Sequence, residues 1–142
     1  MLRILGRRTA LAMWAAVGMA AIAACSANHA VIANQKPVHP VKGQVLVGNQ
    51  PAAGAFVLFV PVNEPQPPQD PRPRAEVKAD GSFALSTYGE EDGAPAGEYI
   101  VTIRWTDPED QDRLQGVYSD SASSKLRATV GEKQNDLPAF KL

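Results

Sequence analysis

Cysteine and histidine are almost missing from this chain: 142 residues contain one cysteine, Cys25, and two histidines, His29 and His39. A single thiol excludes an intrachain disulfide, so any core must hold without covalent staples even in an oxidising compartment. Both histidines precede residue 41. The remainder therefore lacks the histidines that a zinc peptidase needs beside its Glu ligand, and the paired histidines of general acid–base work. Long apolar runs are also scarce. The charge-free stretch Leu11 to Ala24 falls short of the about 20 residues that a membrane-spanning helix needs. Nor is there an excess of positive charge, since 14 Lys and Arg face 15 Asp and Glu. Nucleic acid, which demands clustered cations, is not an expected partner.

The first segment is the most informative part of what is present. Arg3, Arg7 and Arg8 precede the apolar stretch, and Ile22-Ala23-Ala24-Cys25 closes it, which is the three-part layout of a secretory signal. Arg7-Arg8 continues as Thr9-Ala10-Leu11, a poor fit to twin-arginine export. The closing tetrad resembles the lipobox of bacterial lipoproteins. That resemblance implies that Ile22, Ala23 and Ala24 are read by a lipoprotein signal peptidase. It also implies that Cys25 becomes the first residue and that its sulfur carries diacylglycerol, with a further acyl chain such as palmitate on the freed amine. Two or more chains give stable anchoring where one does not, at about 0.8 kcal/mol per buried methylene. Ser26 in place of aspartate resembles lipoproteins sent on to the outer membrane. The expected location is the bacterial cell envelope, lipid-anchored at the outer membrane or periplasmic face, with the membrane as a partner through Cys25.

Without residues 1–24 the chain has 118 residues, 11 basic and 15 acidic, a balance of −4. That length suits one domain. Residues 25–40 are small, polar and interrupted by Pro37 and Pro40, and read as a flexible tether. From 41 to 142 the apolar period is two, and turn residues punctuate it. Val41, Gly43, Val45 and Val47 alternate with Lys42, Gln44 and Leu46, and Ala55 to Val60 is apolar on both faces. Pro61 to Pro73 holds six prolines and reads as a solvated loop. Asp80-Gly81 joins two alternating runs, a hairpin signal. Tyr99, Val101, Ile103 and Trp105 mark the clearest strand, followed by strands around Leu126 to Val130 and Leu137 to Leu142. The expected fold class is all-β, a seven-stranded antiparallel β-sandwich. Its expected inward residues are Val45, Phe56, Leu58, Val77, Phe83, Leu85, Tyr99, Val101, Ile103, Trp105, Leu126, Val130 and Phe140.

Val41-Lys-Gly-Gln-Val, Pro51-Ala-Ala-Gly-Ala-Phe-Val, Ala79-Asp-Gly-Ser-Phe and Gly97-Glu-Tyr-Ile-Val follow one another in order. The series resembles carboxypeptidase regulatory-like and transthyretin-like (prealbumin-like) domains, and is similar to small bacterial lipoproteins built from one such domain. Tyr118-Ser-Asp and Ser124-Lys-Leu resemble a further segment of those lipoproteins. The resemblance implies a scaffold role for these motifs. One family of that fold, 5-hydroxyisourate hydrolase, is an enzyme with a Tyr-Arg-Gly-Ser terminus. This chain ends Ala139-Phe-Lys-Leu, and no enzyme is expected.

Three weaker signals remain. Tyr88 and Tyr118 lie near strand ends or in loops, where rings stack on sugars, so a glycan or an envelope protein is a candidate partner. Glu90, Glu91, Asp92, Asp107, Glu109, Asp110 and Asp112 put carboxylates on two loops. Clustered oxygens suit calcium, solvated acidic loops being the plainer reading. No other cofactor is expected. The expected function is a membrane-anchored, non-catalytic structural or protein-interaction module. The alternative is a carbohydrate- or other envelope-ligand-binding module using loops 61–74, 88–97 and 107–123.

Overall fold

The computed structural model describes residues 35–63 and 71–142. The expected signal peptide, Cys25 and most of the tether lie outside the described residues. The described chain is all β, without a helix. Its strands in chain order are β1 (Val38–His39), β2 (Val41–Val47), β3 (Gln50–Pro51), β4 (Phe56–Pro61), β5 (Arg74–Glu76), β6 (Ser82–Ala84), β7 (Ala94–Pro95), β8 (Gly97–Arg104), β9 (Arg127–Val130), β10 (Asn135–Asp136) and β11 (Phe140–Lys141).

One sheet is antiparallel in the order β5-β4-β8-β9. The other is organised on β2, which pairs with β3, β6, β10 and β11. A third, two-stranded ribbon joins β1 to β7. Both larger sheets contribute to one buried cluster: Val41 and Val45 from β2, Val57 and Phe59 from β4, Phe83 from β6, and Tyr99, Val101 and Ile103 from β8. Each large side chain removed from water contributes roughly 1.5–3 kcal/mol.

Eleven short pieces replace the expected seven strands, because prolines and glycines divide them. Pro40 separates β1 from β2, Gly48-Asn49 turns β2 into β3, and Pro138 divides the last segment into β10 and β11. Those last two pieces pair with β2 in parallel, Asn135 beside Val41 and Phe140 beside Val45. The fully antiparallel expectation is corrected there. The tether boundary also moves, because Val38 and His39 pair with Pro95 and Ala94, so the ordered strands begin before residue 41.

The facing of β4 is a second correction. Val57 and Phe59 are fully buried, while Phe56 is exposed and Leu58 half-buried. The register puts Val57 beside Ile103 and Phe59 beside Val101, and directly opposed residues share a face. A segment apolar on both faces carries no phase of its own, so its neighbours decide. The Asp80-Gly81 turn forms as expected, with Gly81 at φ 85° and its N–H donating to the Lys78 carbonyl at 2.9 Å. Its arms then part, since β5 joins β4 and β6 joins β2. They meet again where Arg74 and Ser86 exchange hydrogen bonds of 3.0 and 2.9 Å. The turn is therefore a corner between two sheets.

Two glycines are dictated by space. Gly43 lies opposite Phe83, and a Cβ there would sit 2.6 Å from the ring. The ring thus covers a strand glycine and stacks on Phe140 at 6.3 Å and 15°. Gly93, at φ 98°, is so close to β1 that a Cβ would fall 1.8 Å from the His39 carbonyl oxygen. Urea unfolding should rank the two sites. Gly43→Ala is expected to cost about 1–3 kcal/mol as an overpacked core. Gly93→Ala, which collides with backbone, should cost at least about 3 kcal/mol. Equal, small losses would show that the close approach is absent.

Candidate functional site

A groove of about 310 Å³ opens where the ends of β4, β7 and β8 meet the segments 71–73 and 88. Tyr88 and Tyr99 supply aromatic surface, Pro61, Pro71, Pro73 and Pro95 rigid apolar surface, and Lys36, Asn63 and Glu98 polar groups. Tyr99 is placed by the strand period. Its ring packs against Phe59 at 5.5 Å, and its hydroxyl donates to the Pro95 carbonyl at 2.7 Å. The Tyr88 hydroxyl accepts the Lys36 N–H at 3.1 Å, which brings the expected tether against the loop after β6.

That loop owes its shape to Asp92. One carboxylate oxygen accepts the Thr87 N–H at 2.7 Å, and the other accepts those of Tyr88 and Gly89 at 3.0 and 2.8 Å. The buried Thr87 hydroxyl donates to the Gly93 carbonyl at 2.6 Å. Charge-assisted bonds of this kind are about twice as strong as neutral ones. Asp92 therefore fixes the backbone that carries the Tyr88 ring. Glu91, at φ 50°, turns away to pair with Lys78 at 2.8 Å. The hydrogen bond and charge of Lys78 hold its carboxyl below the ordinary range. Glu90 is exposed.

The second acidic loop is built the same way. Asp107 accepts the N–H groups of Glu109 and Gln111 at 3.0 and 2.9 Å. Asp112 accepts those of Trp105, Leu114 and Gly116 at 3.1, 3.1 and 2.9 Å. Asp110 reaches Arg104 at 3.3 Å, and Glu109 is exposed. Burial opposes ionisation of Asp112, yet the three N–H groups and Arg104 outweigh it and hold its carboxyl below the ordinary range. The candidate calcium ligands are thus distributed over two local turn systems. Among the described residues no group of three or more His, Cys, Asp or Glu is arranged to hold a metal ion.

The two candidate tyrosines are separated. Tyr88 lines the groove, whereas Tyr118 is half-buried against the core and its carbonyl accepts the Ile103 N–H at 2.8 Å. Trp105 is half-buried too. Its indole N–H donates to Ala53 at 2.9 Å, and the Arg113 guanidinium covers its ring at 4.8 Å. Sequence reasoning missed Tyr99 and Lys36 as groove residues. Two of its three loops, 61–74 and 88–97, do converge there, and 107–123 contributes no lining residue.

Asp112 allows a test by acid titration. A carboxyl held low in the folded state stabilises the fold above its unfolded value of about 3.9, and that contribution is lost as pH falls through the folded value. Asp112→Asn should therefore lower stability by about 1–3 kcal/mol at neutral pH and flatten the acid limb of a urea-unfolding profile. An unchanged limb would contradict the three-bond geometry. Because Asp92, Asp107 and Asp112 already hold backbone N–H groups and Glu91 and Asp110 are ion-paired, adding calcium should leave the melting temperature in place. A calcium-dependent rise would show a site.

No family model matches the chain, and no curated protein matches it in sequence. Among solved structures it is similar to a DUF3823 family protein from Parabacteroides merdae, at 16% identity and TM-score 0.43, over 75% of this chain and 46% of that one. It is also similar to a 9R-lipoxygenase from Cyanothece, at 15% identity and TM-score 0.41, over 75% of this chain and 16% of that one. The chain spans less than half the length of either protein. Neither likeness names a family, and the all-β assignment stands on the sheets themselves.

Proposed function

We propose that this chain is a cell-envelope lipoprotein whose β-domain is a non-catalytic interaction module, with the groove beside Tyr88 as the place where an envelope protein docks. The observation that carries the reading is the convergence of two long loops on one concavity with an aromatic and proline-rich wall. Such walls suit extended peptide segments. Asp92 and Tyr99 hold the wall in place, which lowers the ordering cost of binding.

The finer fold reading is a transthyretin-like or carboxypeptidase regulatory-like sandwich. Its support is that the motif residues do structural work. Gly43 receives the Phe83 ring, Gly54 enters β4 at φ 80°, Asp80-Gly81 turns, and the Tyr99 hydroxyl is bonded. The lipid anchor at Cys25, and with it the periplasmic or outer-membrane location, is supported by Ile22-Ala23-Ala24-Cys25 and the leader before it. The non-catalytic reading is supported by Asp80, Asp92, Asp107, Asp112 and Asp120, whose carboxylates accept N–H groups of their own turns.

A carbohydrate ligand is the second reading, favoured by the polar groups of Asn63 and Glu98 beside the Tyr88 ring. A glycan array separates the two. The protein-docking reading expects no selective glycan binding. Selective binding that Tyr88→Ala abolishes and Tyr118→Ala preserves would establish the sugar reading in its place. For the anchor, fatty-acid labelling in cells should be present in the wild type and absent in Cys25→Ser. Equal labelling would reject lipidation.

A further inference from the structure

The face of the four-stranded sheet turned away from the core is unusual for an outer surface. Val57 and Phe59 point into the core, so the alternate residues Phe56, Leu58 and Val60 lie on the opposite face of β4. Val62, whose N–H continues the ladder to Glu98 at 3.0 Å, extends the row. Four apolar residues in line on this outer face run against the expected alternation; Leu58 and Val60 are half-buried, and Thr102 beside Leu58 is covered. Phe56 is 46% exposed and Val62 42%. Ile100, beside Val60 on β8, widens the stripe.

Charge placement indicates the occupant. Phe56 is flanked by Glu76 on β5 and Arg104 on β8, so this row reads acid, apolar, base across the sheet. Rotating a second copy by half a turn about an axis along β4 lays stripe on stripe. The same rotation carries each Glu76 over the partner's Arg104. A pattern that changes sign across its own midline is what a self-complementary two-fold interface requires. An anionic lipid surface fits less well, because Glu76 and Glu98 share the face with Arg74, Arg104 and Arg127.

We propose that this face is a homodimer interface, with β4 of two copies packed along a common two-fold axis. Strand spacing of about 4.8 Å and rise of about 3.4 Å make the face roughly 20 by 20 Å, on the order of 400 Å² per copy. That is about half the area a standard interface covers. The dimer is therefore weak and concentration-dependent. Arg104 also reaches Asp110 at 3.3 Å, an exposed pair that pairing with Glu76 would replace at little cost.

Sedimentation equilibrium of the full chain in detergent, over a wide concentration range, tests this. The wild type should show a monomer–dimer equilibrium. Glu76→Arg and Arg104→Glu should each weaken it at least about tenfold, because both symmetry-related pairs become like-charged. The double exchange E76R/R104E should restore it. Circular dichroism of each variant should match the wild type. A monomer at every concentration, a dimer indifferent to both single reversals, or a double variant no tighter than the singles would overturn the proposal. So would a monomer whose binding to anionic phospholipid vesicles rises with Glu76→Arg and falls with Arg104→Glu, which would assign the face to lipid.

Discussion

The approach of one backbone to another at Gly93 governs the rest of the architecture. The His39 carbonyl lies where any side chain on Gly93 would have to go, so β1 and β7 can pair only because that residue is glycine. Pairing them seats residues 38–39 against the loop that Asp92 closes. It also leaves the Lys36 N–H at the Tyr88 hydroxyl. The Gly93 N–H donates to Leu85 at 2.8 Å, which ties the contact to the buried core. The groove is thus continuous with the fold.

Much of the fold was legible in the sequence. Period-two runs located β2, β8 and β9, the continuous apolar run Ala55 to Val60 located β4, and Asp80-Gly81 located its turn. What could not be read were choices made between segments. The phase of β4 depended on Ile103 and Val101, far along the chain. The division of the hairpin between two sheets depended on which neighbour each arm met. Parallel pairing of the C-terminal pieces follows from where they enter beside β2, and no local signal carries that.

The site was legible to a lesser degree. Tyr88 stands out as a ring near a strand end, and of the three loops expected to bind a ligand two line the groove. Tyr99 was assigned to the core, and it is buried, but it also lines the groove. The acidic runs illustrate the opposite outcome. Their spacing suits ion ligands, yet short aspartates two to seven residues from turn N–H groups satisfy the backbone first. Carboxylates engaged in that way shape loops, and the groove wall beside them is aromatic and proline-rich.

Two faces of the domain are proposed as interfaces: the concave one beside Tyr88 for a foreign partner, and the outward face of β4 for a second copy. The claim that depends most on the geometry is the first. A photo-cross-linking amino acid placed at position 88 and, separately, at position 118 in the full chain in cells measures it directly. One dominant envelope protein adduct is expected from position 88 and none in common from position 118. Adducts that are absent at 88, or identical from both positions, would contradict it.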